Sequence, residues 1–181
     1  KGPPSAAETE SLGLRVVSGA GLRDKRARGT LSSVRNRPGV AARIFHTIAK
    51  HDIMVDDIIQ TIAENKAATV SFTLDLPDLP DARKVIDKLR KELKCDVLYE
   101  DQLAKVSVVG MGMRMHTGVA DRMFAALAKA KVNIQNITTS EIKISCLIDQ
   151  NQGKKALCVV HDAFELGGKK KTKKTNKTKK K

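Results

Sequence analysis

Arg37-Pro-Gly-Val-Ala-Ala-Arg-Ile-Phe45 returns seventy-nine positions later as His116-Thr-Gly-Val-Ala-Asp-Arg-Met-Phe124. An ungapped comparison of 37–61 with 116–140 gives eight identities, Gly, Val, Ala, Arg, Phe, Ala, Lys and Ile. Most of these shape a loop and the face of the helix that follows it. Each copy then runs into a strand-like segment, Asp56-Asp-Ile-Ile-Gln60 and Gln135-Asn-Ile-Thr-Thr139. Two copies of one small α/β unit in 181 residues imply paired, pseudo-symmetric sites, which suits a sensor better than an enzyme.

Around the repeat, strand and helix patterns alternate. Leu14–Ala20 reads as a first strand, Arg23–Arg28 as a basic turn and Thr30–Val34 as a second strand. Pro38–His51 places Val40, Ala41, Ile44, Phe45 and Ile48 on one helical face. Ile53–Ile62 and Ala68–Leu74 read as strands, the latter with period two. Asp78 or Asp81 can cap a helix whose inner face is Val85, Ile86, Leu89 and Leu93, and Asp96–Glu100 closes a βαββαβ unit. The second unit runs through Ala104–Gly110, Val119–Lys131, Val132–Thr138, Ile142–Ile148 and Gly153–Phe164, and then lacks its fourth strand. The economical reading is that the orphan N-terminal strand completes the second unit, so that the first is inserted in it.

Two modules of roughly 70–80 residues are marginal alone, which favours a shared sheet or a homodimer. Of the net charge of +14, nine positive charges sit in the Lys-rich segment 169–181, leaving +5 elsewhere. That segment and the polar lead-in 1–11 are expected to be disordered and flexible, and no specific nucleic-acid partner is expected. No run of about 18 apolar residues is present, so a soluble, cytoplasmic chain without a membrane partner is expected. The chain opens on Lys1 and not Met, so something upstream is expected to be missing, whether cut away or part of a larger polypeptide. Cys95, Cys146 and Cys158 have no metal-ligand spacing, nor do the four scattered histidines join them in one. No metal is expected, and the three thiols are expected to be buried. An RNA-binding βαββαβ module would stack bases on strand aromatics, but the chain has no Trp, one Tyr and four Phe, and Phe45, Phe124 and Phe164 fall on helix inner faces.

Val97-Leu-Tyr-Glu-Asp-Gln102, Lys105-Val-Ser-Val-Val-Gly110, Val132-Asn-Ile134, Thr139-Ser-Glu-Ile-Lys-Ile-Ser145 and His161-Asp-Ala-Phe-Glu-Leu166 closely resemble the C-terminal regulatory region of bacterial aspartate kinase. The resemblance covers 12–168 and implies an α+β fold of two interlocked, ferredoxin-like ACT domains, 27–102 and 12–22 plus 103–168. It also implies an effector, lysine and/or threonine, that inhibits phosphorylation of aspartate. The partner would be an aspartate kinase catalytic domain or alpha subunit, where ATP is used. This chain, with no glycine-rich phosphate loop and no kinase-domain start, would be catalytically silent alone and hold no cofactor. An ACT sensor attached to another amino-acid enzyme is the nearer alternative.

A free amino acid carries a carboxylate beside an ammonium, so its receptor needs donors next to an acceptor. A helix start supplies about four unpartnered N–H groups and a partial positive charge. Gly39 and Gly118 allow close approach to that backbone. Asp56 and Gln60 share strand parity and are expected to project from one face, with Asp56 suited to an ammonium. Carried over from the family by position, one site would contain Asn36, Gly39, Val40, Ala41 and Gln60 with Asn133 and Ile134. The other would contain Asp56, His116, Gly118, Val119, Ala120, Ser140 and Glu141. In this family such sites form where the loop of one module faces the strand of the other, often across a dimer. The chain departs from the pattern at Asn36, where aspartate is usual, and at Met54, Thr61 and Thr117. Losing a carboxylate weakens an ammonium site, because charge-assisted hydrogen bonds are about twice as strong as neutral ones.

Overall fold

The computed structural model describes residues 16–64, 66–113 and 116–167; the lead-in 1–11, Leu14, Arg15 and the segment 169–181 lie outside them. In chain order the elements are β1 (Gly19–Arg35), α1 (Val40–Ala49), β2 (Val55–Ile62), β3 (Ala67–Asp75), α2 (Leu79–Leu93), β4 (Asp96–Val109), α3 (Val119–Lys129), β5 (Asn136–Ser140), β6 (Lys143–Asp149) and α4 (Gly153–Ala163). Each helix forms because its apolar residues recur at helical spacing. Val40, Ile44 and Ile48 are buried from α1, and Val119, Met123 and Leu127, the same repeat positions, from α3. Asp78 occupies the position before α2, as expected, but its side chain makes no capping hydrogen bond. The helix ends on Lys94 in the left-handed region, φ 51°.

All six strands form one antiparallel sheet in the order β2-β3-β1-β4-β6-β5. Of the strand anticipated at 14–20, only Gly19 and Ala20 are strand, at the start of the same β1 that contains the one anticipated at 30–34; Val16–Ser18 precede it, and Leu14 and Arg15 lie outside the described residues. The strands anticipated at 96–100 and 104–110 are one strand, which ends at Val109. The basic stretch Arg23–Arg28, expected as a turn, lies within β1. It stays extended because Arg26 and Arg28 meet carboxylates on neighbouring strands, Asp56 and Asp75 for the first and Glu100 for the second. A local kink does remain there, since Lys25 has φ 54° and the pairing with β4 slips twice between Arg23 and Arg28. Such bulges increase strand twist.

The long strands interlock the two units. Gly19–Arg23 pairs with Val109–Lys105, so the N-terminal end of β1 supplies the second unit's missing edge. Arg26–Arg35 pairs with Asp75–Ala67 on one side and with Leu103–Asp96 on the other. Two apolar cores result. One gathers Leu31, Ile44, Ile48, Phe72, Leu74 and Ile86, with Phe45 set edge-on to Phe72 at 5.8 Å between centroids. The other gathers Val17, Val106, Val108, Met123, Leu127, Ile148 and Val160, with Phe124 and Phe164 packed on it. Cys95 and Cys146 are buried, whereas Cys158 is exposed on α4, contrary to expectation, because Ala156 and Val160 take the inward positions of that helix.

Alternation puts a second, polar face opposite these cores. Thr73 lies between the core residues Phe72 and Leu74, Lys105 between Ala104 and Val106, and Arg26 beside Ala27. All three polar residues are nonetheless buried. Although β2 and β5 are the two edges of the sheet, Thr138 on β5 donates to Asp57 Oδ1 on β2 at 3.1 Å. The sheet therefore coils until its edges meet on the polar face.

Candidate functional site

Both repeats open a helix in the same way. Gly39 and Gly118 precede α1 and α3 with φ 87° and 89°, and neither helix start is capped by a side chain. A Cβ placed on either glycine would meet no atom within 4 Å, so open space lies above each entrance. Only the unusual φ demands glycine there, since an L side chain in that region is strained. The first turn of α1 contains no acid, while that of α3 contains Asp121.

The first entrance lies in a cleft of about 380 Å³. Asn36, Gly39, Val40, Ala41 and Gln60, five of the seven residues expected in the first site, line it together. Asn133 and Ile134 do not. They follow α3, with Asn133 exposed and Ile134 packed on the second core. Arg35 and Arg37 also line the cleft and were not anticipated as site residues, although Arg37 belongs to the repeat itself. No carboxylate lines this cleft, and among the described residues no ion pair engages either arginine. Together with the helix start they make its mouth strongly cationic.

Gln60 reaches this cleft because the strand is irregular. Asp56 pairs with Thr73 but Ile59 pairs with Ser71, so one extra residue is inserted and Asp57 takes φ 45°. The bulge reverses the alternation. Asp56 and Gln60, expected on one face, lie on opposite faces, with Gln60 beside the core residues Ala68 and Val70 and Asp56 on the polar face.

Asp56 is accordingly spent on the chain's own cations. Its Oδ1 accepts from Arg26 Nη2 and Thr73 Oγ1, and its Oδ2 takes Lys105 Nζ at 2.6 Å with Arg23 at 3.5 Å. Burial pushes this carboxyl up, but the hydrogen bonds from Lys105 and Thr73 and the charges of Lys105 and Arg26 outweigh it and hold the pKa below the ordinary 3.8. The structure gives Asp56 an internal role, and an effector's ammonium would have to compete with two buried cations for it.

Around the second entrance, Val119 is buried, Ala120 packs on the second core, and His116 is half-buried with Nδ1 3.2 Å from the carbonyl of Gly112. Ser140 ends β5 and Glu141 lies in the turn after it, both exposed. Another cleft, of about 400 Å³, is lined by Leu22, Asp24, Gln102, Gln150, Asn151 and Lys154 and includes nothing from either repeat. Among the described residues, no helix is long and apolar enough to cross a membrane, and no three acids, histidines or cysteines are grouped to hold a metal.

A pair of glycine-gated helix starts on an interlocked antiparallel sheet defines a class, and the family comparison agrees: ACT-domain models match residues 29–94 and 106–164. The regulatory subunit of aspartate kinase from Thermus thermophilus, in its ligand-free form, superposes with a TM-score of 0.77 and 32% identity, covering 82% of this chain and 99% of that one. A chain in the structure of aspartokinase alpha and beta subunits gives 0.76 and 37%, covering 83% and 99%. The aspartate kinase of Pseudomonas fluorescens is 39% identical over 160 residues, 88% of this chain. The chain belongs to the family of two-ACT-domain aspartate kinase regulatory subunits and regions. It spans 39% of the length of that full-length relative.

Proposed function

We propose that the chain senses lysine and/or threonine and transmits their binding to an aspartate kinase catalytic domain or alpha subunit, which uses ATP to phosphorylate aspartate. The observation that carries this reading is the pair of uncapped helix starts, each behind a left-handed glycine with open space above it. The effector's carboxylate accepts from those amides, where a charge-assisted hydrogen bond contributes about 1.5–3 kcal/mol. In the first cleft, Arg35 and Arg37 add attraction for the carboxylate, while Asn36 and Gln60 offer only neutral oxygens to the ammonium. That balance suits threonine better than lysine, whose second ammonium would face two arginines. Ser140 shares the polar strand face with Thr138, so of the residues expected in the second site Glu141, in the turn after β5, is the acid that would favour a more cationic effector.

Asn133 and Ile134 are absent from the cleft lining, so their share in the first site would come from a second copy of the chain. Exposed Ile58 on β2 and Ile137 on β5, the same repeat position, support edge-to-edge association as a homodimer. An inhibitor that binds one arrangement of the modules better stabilises it, and coupling of about 1–3 kcal/mol shifts populations five- to 150-fold. Calorimetry with lysine and threonine, alone and together, combined with sedimentation, tests the reading. Expected are heat of binding and tighter self-association with at least one of them; neither response from either amino acid refutes it.

A further inference from the structure

The polar face of the sheet holds a charge cluster that the effector reading does not use. Arg26 and Lys105 have side chains only 3% exposed, an unusual placement for two cations. Three carboxylates answer them, Asp56, Asp57 and Asp75. Lys105 Nζ stands 2.6 Å from both Asp56 Oδ2 and Asp57 Oδ2, and Asp57 Oδ1 accepts from Thr138 at 3.1 Å. Arg28 adds a parallel link, bidentate to Glu100 at 2.7 Å and donating to Gln135 Oε1 at 3.3 Å. The bulge at Asp57, with its left-handed φ, aims that carboxylate across the seam; a regular strand would place the next side chain on the other face.

The strands joined here are those that carry the two candidate sites. Gln60, in the first cleft, is three residues beyond Asp57 on β2, and Ser140 is two residues beyond Thr138 on β5. Each of these edge strands pairs with only one neighbour, β3 or β6, so cross-seam contacts are a large share of what restrains it. We propose that Asp57, held by Lys105 and Thr138, is a positioning residue that locks β2 to β5, so that ordering of either edge strand by a ligand orders the other. The claim for ligands rests on the effector reading above; the mechanical lock does not. Ordering prepaid at one entrance lowers the cost at the other, and the coupling is reciprocal.

The test uses the full chain with Thr138→Val, which removes one hydroxyl, and Asp57→Asn, since asparagine tolerates a left-handed backbone. Hydrogen exchange is read first, without ligand. Expected is at least a fivefold loss of protection in both 55–62 and 136–140 for either variant, with α1 and α3 unchanged. Loosening confined to the strand that carries the substitution overturns the lock. Next, threonine is titrated with and without saturating lysine. Expected is a change in threonine affinity of at least fivefold in the wild type, falling below twofold in both variants while each amino acid alone still binds. Coupling that persists unchanged in both variants overturns the proposal. If neither amino acid binds the wild type, the effector reading fails, and the exchange result alone decides the lock.

Discussion

Replacing Gly39 by alanine separates the backbone requirement of the first entrance from its chemistry. The residue sits at φ 87°, and an added Cβ meets nothing within 4 Å, so no steric clash contributes. What remains is the conformational strain of an L residue in the left-handed region, about 1–2 kcal/mol. For a chain of this size that corresponds to a melting temperature lower by about 2–8 °C. The methyl enters open space in the cleft that Gly39 lines, where, on the proposed binding mode, it would obstruct the carboxylate's approach to the amides of α1. Losing one charge-assisted hydrogen bond, about 1.5–3 kcal/mol, weakens binding roughly 10- to 150-fold. Gly39→Asn is the discriminating companion, since asparagine accepts the backbone angle. It should recover most of the stability while still obstructing the ligand. Gly118→Ala, at φ 89° with the same open space, should cost as much stability and impair only the second entrance. Thermal melts and calorimetry with threonine and lysine on the four proteins decide the matter. An alanine variant that binds both amino acids as the wild type does would refute the assignment of the helix amides as carboxylate donors.

Stability should fall in acid through Asp56. Its native pKa lies below the unfolded value of about 3.9, so its contribution is complete above that pH and is lost as pH falls through the native pKa. Urea unfolding between pH 3 and 7 should show Asp56→Asn less stable than the wild type at neutral pH, with a shallower acid loss; parallel curves would contradict the ion-pair cluster. Burial raises the Cys146 thiol to about 12 and also pushes up Cys95, whereas Cys158 is exposed. Alkylation of the native protein at about pH 8 should therefore modify Cys158 first and the other two only on denaturation, as peptide mass mapping will read. Gly29→Ala should destabilise by about 1–3 kcal/mol, because its Cβ would stand 3.0 Å from the fully buried Phe72 ring; an unchanged unfolding midpoint would show that the ring can yield.

Local pattern alone determined a good deal of this molecule. The repeat at 37–45 and 116–124 located both helix starts, its glycines marked where the chain enters each helix, and apolar spacing placed Val40, Ile44 and Ile48 inward. The missing fourth strand of the second unit pointed to an N-terminal strand, and one does pair with β4 there, but through Gly19–Arg23, which extends past the anticipated 14–20 into the stretch expected as a turn. These features depend on residues close in the chain or on a simple count of strands. What tertiary structure decided was the fate of charge. Arg23–Arg28 reads as a turn until Asp56, Asp75 and Glu100 arrive from other strands, and only then can the segment remain extended and partly buried. Asp56 looked free to grip a ligand because nothing nearby in sequence neutralises it; its partners, Arg26 and Lys105, lie 30 and 49 residues away. The bulge at Asp57 cannot be read from composition either, because an inserted residue is defined only against the partner strand, and it alone sends Gln60 to the cleft and Asp57 to the seam. Backbone angles and apolar faces are local properties, whereas a buried ion's partner is a matter of register between distant strands.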